Sequence, residues 1–179
     1  MKTLKLPKDR LDFFASVVQQ FGDVHAPVEQ HGKYAFKRLT RWSQARLDYT
    51  RTILPPKKYF LPPRETLFRH DDTGYVPCTD GLDARIVLFG VHACDVFALN
   101  ILDQVFSGRY SDPYYQRRRK EVVVIGIDCT PDEYCFCHSM RADFVDRGFD
   151  LFLFDIGAHY FTLVGTAREQ HVQRGPRGD

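Results

Sequence analysis

Leu11, Phe14, Val18 and Phe21 recur at spacings of three and four, the period of one helix face, and the run closes at Gly22 with Asp9 placed to cap its start. This predicts an amphipathic surface helix. Two short β-type segments follow at 24–28 and 34–39, and the His31-Gly32 turn between them predicts a hairpin. Four prolines in the stretch ILPPKKYFLPP at 53–63 remove backbone donors and rule out a continuous helix. It is expected to be a solvated connection rather than a strap anchored by Tyr59 and Phe60.

Beyond the Asp71-Asp72-Thr73-Gly74 turn the pattern sharpens. Residues 85–91 form a β-type run, and 94–106 form a helix with Cys94, Phe97, Ala98, Ile101, Leu102 and Val105 as its apolar stripe and Asp95, Asn100, Asp103 and Gln104 off it. The next stretch, 108–120, is polar and turn-rich. Residues 121–128 are a second Val/Ile-rich strand of the kind buried on both faces of a parallel sheet, which completes a βαβ unit. Segments 151–156 and 159–164 flank Gly157 and predict an antiparallel pair near the sheet edge.

The expected fold is therefore α/β, a mixed and partly parallel sheet with flanking helices and cysteine loops at the carboxyl ends of its central strands. Its expected organisation is 1–70 as N-terminal helix, hairpin and Pro-rich connection, 71–165 as the α/β core, and 166–179 as a frayed tail without apolar periodicity.

Composition narrows the function. A 179-residue chain that is 44% hydrophobic, with 15 Phe and 9 Tyr, is large and apolar enough for a packed core. Its net charge of +2 argues against nucleic acid or an anionic membrane as main partner. No apolar run approaches the roughly 20 residues of a membrane span. The first ten residues carry Lys2, Lys5, Lys8 and Arg10 without an apolar core or a small-residue cleavage site, so a cytoplasmic address is expected. There, five cysteines are better read as metal ligands, redox groups or small buried hydrophobes than as disulfides.

Four of them sit where two predicted strands end. Cys94 follows 85–91 and opens a helix, while Cys129, Cys135 and Cys137 follow 121–128 in the run DCTPDEYCFCHSM. Adjacent parallel strands place such ends side by side, so the two loops can share a site. The C-x5-C-x-C spacing matches neither a zinc ribbon nor a bacterial ferredoxin. Four thiolates suit a [4Fe–4S] cluster or Zn(II) alike, and the helix start at Cys94 is a position that favours a thiolate. Cys78 reads as a small buried hydrophobe.

Four stretches, PPKKYFLPPRETLF, FGVHACDVFALNILDQVF, VIGIDC with CFCHSM, and GFDLFLFDIG, together resemble, in the family's order, the N-terminal region of a known family. That family includes the beta subunit of cytosolic sulfhydrogenases and the A-type subunit of anaerobic sulfite reductase. The resemblance implies a protein that relays electrons through iron–sulfur clusters within a larger complex. Its implied partners are a catalytic hydrogenase or sulfite reductase subunit and a flavin-containing, pyridine-nucleotide-linked subunit. The family's cysteine positions fall on Cys94, Cys129, Cys135 and Cys137; Cys78 has no assigned counterpart. Family members usually continue into a ferredoxin-like domain with two C-x2-C-x2-C-x3-C motifs. This chain stops at Asp179 without them and is expected to be a truncated or split member; after CFCHSM it reads RADFVDRG where the family runs through a Gly-rich stretch.

His92 and His138 flank the two cysteine loops and are candidates to hydrogen-bond the bound group rather than to ligate it. The RRRK run at 117–120 is expected to be a solvated turn. No GxGxxG, Walker loop, HExxH or Ser-His-Asp order is present. Electron relay is thus the first expectation; a structural zinc-binding interaction module and a non-functional remnant of a truncated gene are its rivals.

Overall fold

The computed structural model describes residues 2–79, 81–82 and 84–165, so the expected tail lies outside the described residues. In chain order the elements are β1 (Lys2–Pro7), α1 (Leu11–Val18), β2 (Asp23–Gln30), β3 (Lys33–Arg38), β4 (Phe68–Asp71), β5 (Gly74–Pro77), β6 (Ile86–Val91), α2 (Ala93–Phe106), α3 (Pro113–Glu121), β7 (Val122–Ile127), β8 (Leu151–Asp155) and β9 (His159–Val164). The described strands form a seven-stranded sheet ordered β1-β9-β8-β7-β6-β2-β3 and a separate β4-β5 hairpin.

Strands β2, β6, β7 and β8 run parallel to one another, and β3, β9 and β1 add antiparallel pairings at the two sides. The fold is α/β with a mixed sheet. From β1 the chain crosses the sheet one way to reach β2, and from β6 it moves back the other way to β7. Right-handed crossovers then require helices on opposite faces. Accordingly, Leu11, Phe14 and Val18 of α1 pack with Val87, Phe89 and Ile125, whereas Val96 and Leu99 of α2 pack with Leu88, Val124 and Phe152. Strands β6 and β7 are covered on both sides, which explains their unbroken Val/Ile character.

The β2–β3 hairpin turns through His31 and Gly32, both at positive φ, as a two-residue loop requires. Asp9 does not cap α1: it lies in a 3₁₀ turn at Lys8–Arg10, and the helix starts without a side-chain cap. Of the expected helix stripe Phe21 is 56% exposed.

The face of α2 differs from expectation by a small rotation. Ala93, Val96, Leu99 and Asp103 are buried, while Ile101 and Val105 face out. Asp103 can be buried because α3 supplies its partners: Tyr115 donates its hydroxyl at 2.6 Å, Arg119 Nε donates at 3.1 Å, and the same guanidinium reaches the Gly148 carbonyl at 3.0 Å. Helix α3 itself replaces the expected solvated turn. Asp112 accepts the Tyr114 and Tyr115 amides and Pro113 occupies the first turn, a cap that starts a helix in a polar sequence.

The Pro-rich stretch is a strap, not a solvated connection. Pro56 and Phe60 are buried, and Phe60 packs near Tyr115 and under Arg119. Tyr59 donates to the Phe36 carbonyl at 3.1 Å and shares a 2.8 Å hydrogen bond with His25. The prolines prepay part of the ordering entropy of a segment that the aromatic anchors hold down. Among the described residues no helix is long and apolar enough to cross a membrane.

Candidate metal centre

Two chain segments build one site at the carboxyl edge of the parallel strands. The first is the end of β6. Its register with β7 shifts between Phe89 and Val91, and Gly90 takes φ +83, a conformation that suits glycine. That bulge presents the Gly90 carbonyl to the Tyr49 hydroxyl at 2.8 Å, and the Tyr49 ring stacks on His92 with centroids 3.9 Å apart and planes 12° apart. The His92 carbonyl accepts the amides of Asp95 and Val96, so β6 passes directly into α2 and Cys94 falls in the first turn.

The second segment leaves β7 at Asp128. Cys129 is exposed, and Cys135 is held by Asp132, whose amide donates to its sulfur at 3.4 Å and whose carboxylate accepts from it at 3.3 Å. Asp132 is fixed in turn by Arg51 at 2.8 Å, and the same guanidinium lies over Tyr134. The Cys137 carbonyl accepts the Met140 and Ala142 amides, closing a tight turn after the last thiol.

The segments meet. Cys94 feels Cys137 and Cys129 electrostatically, and Cys129 feels Cys137 and Cys135. None of the four is in a disulfide, and Cys78 is half-buried just past β5. Burial first, then Asp95 and the neighbouring thiols, push the Cys94 thiol up to about 12; burial and the thiols Cys137 and Cys135 push Cys129 up to about 11. The helix start therefore does not make Cys94 a thiolate in the metal-free chain, because loss of hydration outweighs it. Both thiols are protonated at neutral pH, and metal binding would have to release their protons.

Tyr49, Asp95 and Arg51 are parts of this site that the sequence pattern does not single out. Burial holds Asp95 up at about 6, opposed by Lys57. His92 is 3% exposed, burial lowers it to about 4, and its Nε2 has no partner. His138, by contrast, points into solvent beside Asp143 at 2.8 Å.

Among the described residues no set of three or more His, Cys, Asp or Glu side chains is gathered around one point as a single ion would need. Thiolates of a four-iron cluster bind separate irons and need not meet at one point. The donor set of four free thiols, with a buried, unpartnered imidazole nitrogen two residues before the first of them, fits such a cluster.

Tyr49→Phe removes the bond to Gly90 and keeps the ring stack. It is expected to lower stability by about 1 kcal/mol, read from the urea midpoint at unchanged slope.

No family model matches the chain, and no solved structure matches it. The chain is 42% identical over 168 residues to sulfhydrogenase 2 subunit beta of Pyrococcus furiosus, an alignment that takes in 94% of this chain and 50% of that protein. It thus spans about half the length of the curated relative it matches. Over nearly all of its own length, the chain is thus similar to a sulfhydrogenase beta subunit.

Proposed function

We propose that this chain is an electron-transfer component of a cytoplasmic hydrogenase-type complex and holds a [4Fe–4S] cluster through Cys94, Cys129, Cys135 and Cys137. The observation that carries the reading is the convergence of free thiols from two distant loops in a relative of a sulfhydrogenase subunit. A bound cluster would supply one-electron redox chemistry. The protein's part is to place the thiols and limit water. Residues 71–165 carry all four thiols, and Tyr49 and Arg51 of the preceding segment brace the two loops from outside.

In this reading the partners are a catalytic hydrogenase or sulfite reductase subunit and a flavin-containing electron-transfer subunit. The chain relays charge between them and carries no catalytic residue of its own. Its mixed environment suits such a relay, because Cys129 is exposed whereas Cys94 is half-buried: one side of the site faces a partner and the other faces the sheet.

Iron and acid-labile sulfide are the direct measurement. Anaerobically purified protein is expected to contain about four of each per chain and to be brown. Stoichiometric zinc without iron would replace the proposal with a structural zinc module, which shares the ligands but not the redox chemistry.

A further inference from the structure

Beside the thiol site, on the α1 face of the sheet, lies a cavity of about 690 Å³ at the carboxyl ends of β7 and β8. That volume is ordinary for a small-molecule site. Cys129 lines its rim, but its character comes from other residues. Three rings, Trp42, Tyr49 and Tyr160, line it together with three carboxylates, Asp48, Asp128 and Asp155. Among the described residues, Lys8 is the one cation in the lining.

We propose that this cavity binds a small organic cation, an alkylated ammonium carried on a larger molecule. Aromatic faces and carboxylates are the two groups that recognise such a cation, the rings through their quadrupoles and the carboxylates through charge. The chain demonstrates the preference with its own side chain: the Lys8 ammonium pairs with Asp155 at 2.6 Å and lies over the Tyr160 ring at 5.1 Å. With Lys8 committed to Asp155, Asp48 and Asp128 leave the cavity net negative, which disfavours phosphates and carboxylates as ligands.

Trp42 is well placed for the role. Its ring meets Phe89 edge-on, with centroids 4.8 Å apart and planes 79° apart, so that contact with the core leaves a face of the indole unstacked. Asp128 has a structural hold as well as charge: it accepts the Asp155 amide at 3.0 Å, which fixes its carboxylate at the edge of the sheet. The proposal does not depend on what the thiols bind.

The chain has a single tryptophan, so the emission of Trp42 reports the cavity directly. Full-length protein, stripped of metal, is titrated with choline and with its uncharged isostere 3,3-dimethylbutan-1-ol, with calorimetry as a second readout. Choline is expected to change the emission saturably and to bind at least about five-fold tighter than the isostere. Asp48→Asn, at an exposed position, is expected to weaken choline about three-fold and leave the isostere unchanged. Asp128→Asn gives a second reading, since its amide oxygen can still accept the Asp155 amide. Equal binding of the two probes, or a linear change without saturation, overturns the proposal. Because the assay needs no iron, its failure leaves the iron and sulfide result untouched, and the reverse holds too.

Discussion

Cys137→Ser and Cys94→Ser are each expected to reduce iron and sulfide to background after anaerobic reconstitution and to abolish the brown colour, whereas Cys78→Ser is expected to retain both. Serine offers a hard, weakly acidic oxygen in place of a soft thiolate, and it cannot replace a ligand to iron in such a cluster without a large loss of affinity. The pair is chosen because these two thiols, one from each loop, influence each other electrostatically across the junction of the two loops. Either substitution therefore cuts the site at the point where its halves join. The thiols are only half-buried, so far-UV circular dichroism of the metal-free variants is expected to be unchanged. Full iron content in either variant would remove the ligand assignment.

Arg119→Ala is expected to cost about 3–5 kcal/mol of stability, the largest effect of any single change outside the thiol site. The guanidinium is 5% exposed, pairs with an 8% exposed Asp103, and satisfies the Gly148 carbonyl. Removing it takes the guanidinium from a buried carboxylate that Tyr115 also bonds, and leaves the Gly148 carbonyl without that donor. The double variant Asp103→Leu with Arg119→Met is expected to recover most of the loss, since the charge and its partner go together. Chemical denaturation of the three proteins measures both effects. A single variant that melts like the parent would show that the pair is not buried in solution.

The central strands and the two more apolar helices are legible in the sequence because their periodicity is dictated by the faces they bury. Val87, Leu88 and Phe89 point alternately into cores on both sides, and nothing but a fully covered strand explains that run. Helix α3 is not legible, since PYYQRRRKE has no apolar face and buries chiefly Tyr115 and Arg119. Only the Asp112-Pro113 cap announces it. Likewise the apolar stripe of α2 misplaces its buried face by about one position, because Asp103 counts as polar until its partners on α3 are known.

The site divides in the same way. That four cysteines follow two strand ends is visible in the sequence, and so is the sharing of an edge by adjacent strands. The proposal that they hold a cluster is tested by iron and sulfide analysis. The wall formed by Tyr49 is out of reach of sequence reasoning, because its contact with Gly90 and His92 spans some forty positions and depends on a bulge no local pattern encodes.

The pairing of β1 with β9, Lys2 opposite Val164 through Pro7 opposite His159, sets an order on biosynthesis. Of the described strands, the one that leaves the ribosome first must wait, with its edge unmatched, until the last has emerged. Closing so long a span is slow, and chaperone shelter during that delay would decide how much of the newly made protein escapes aggregation.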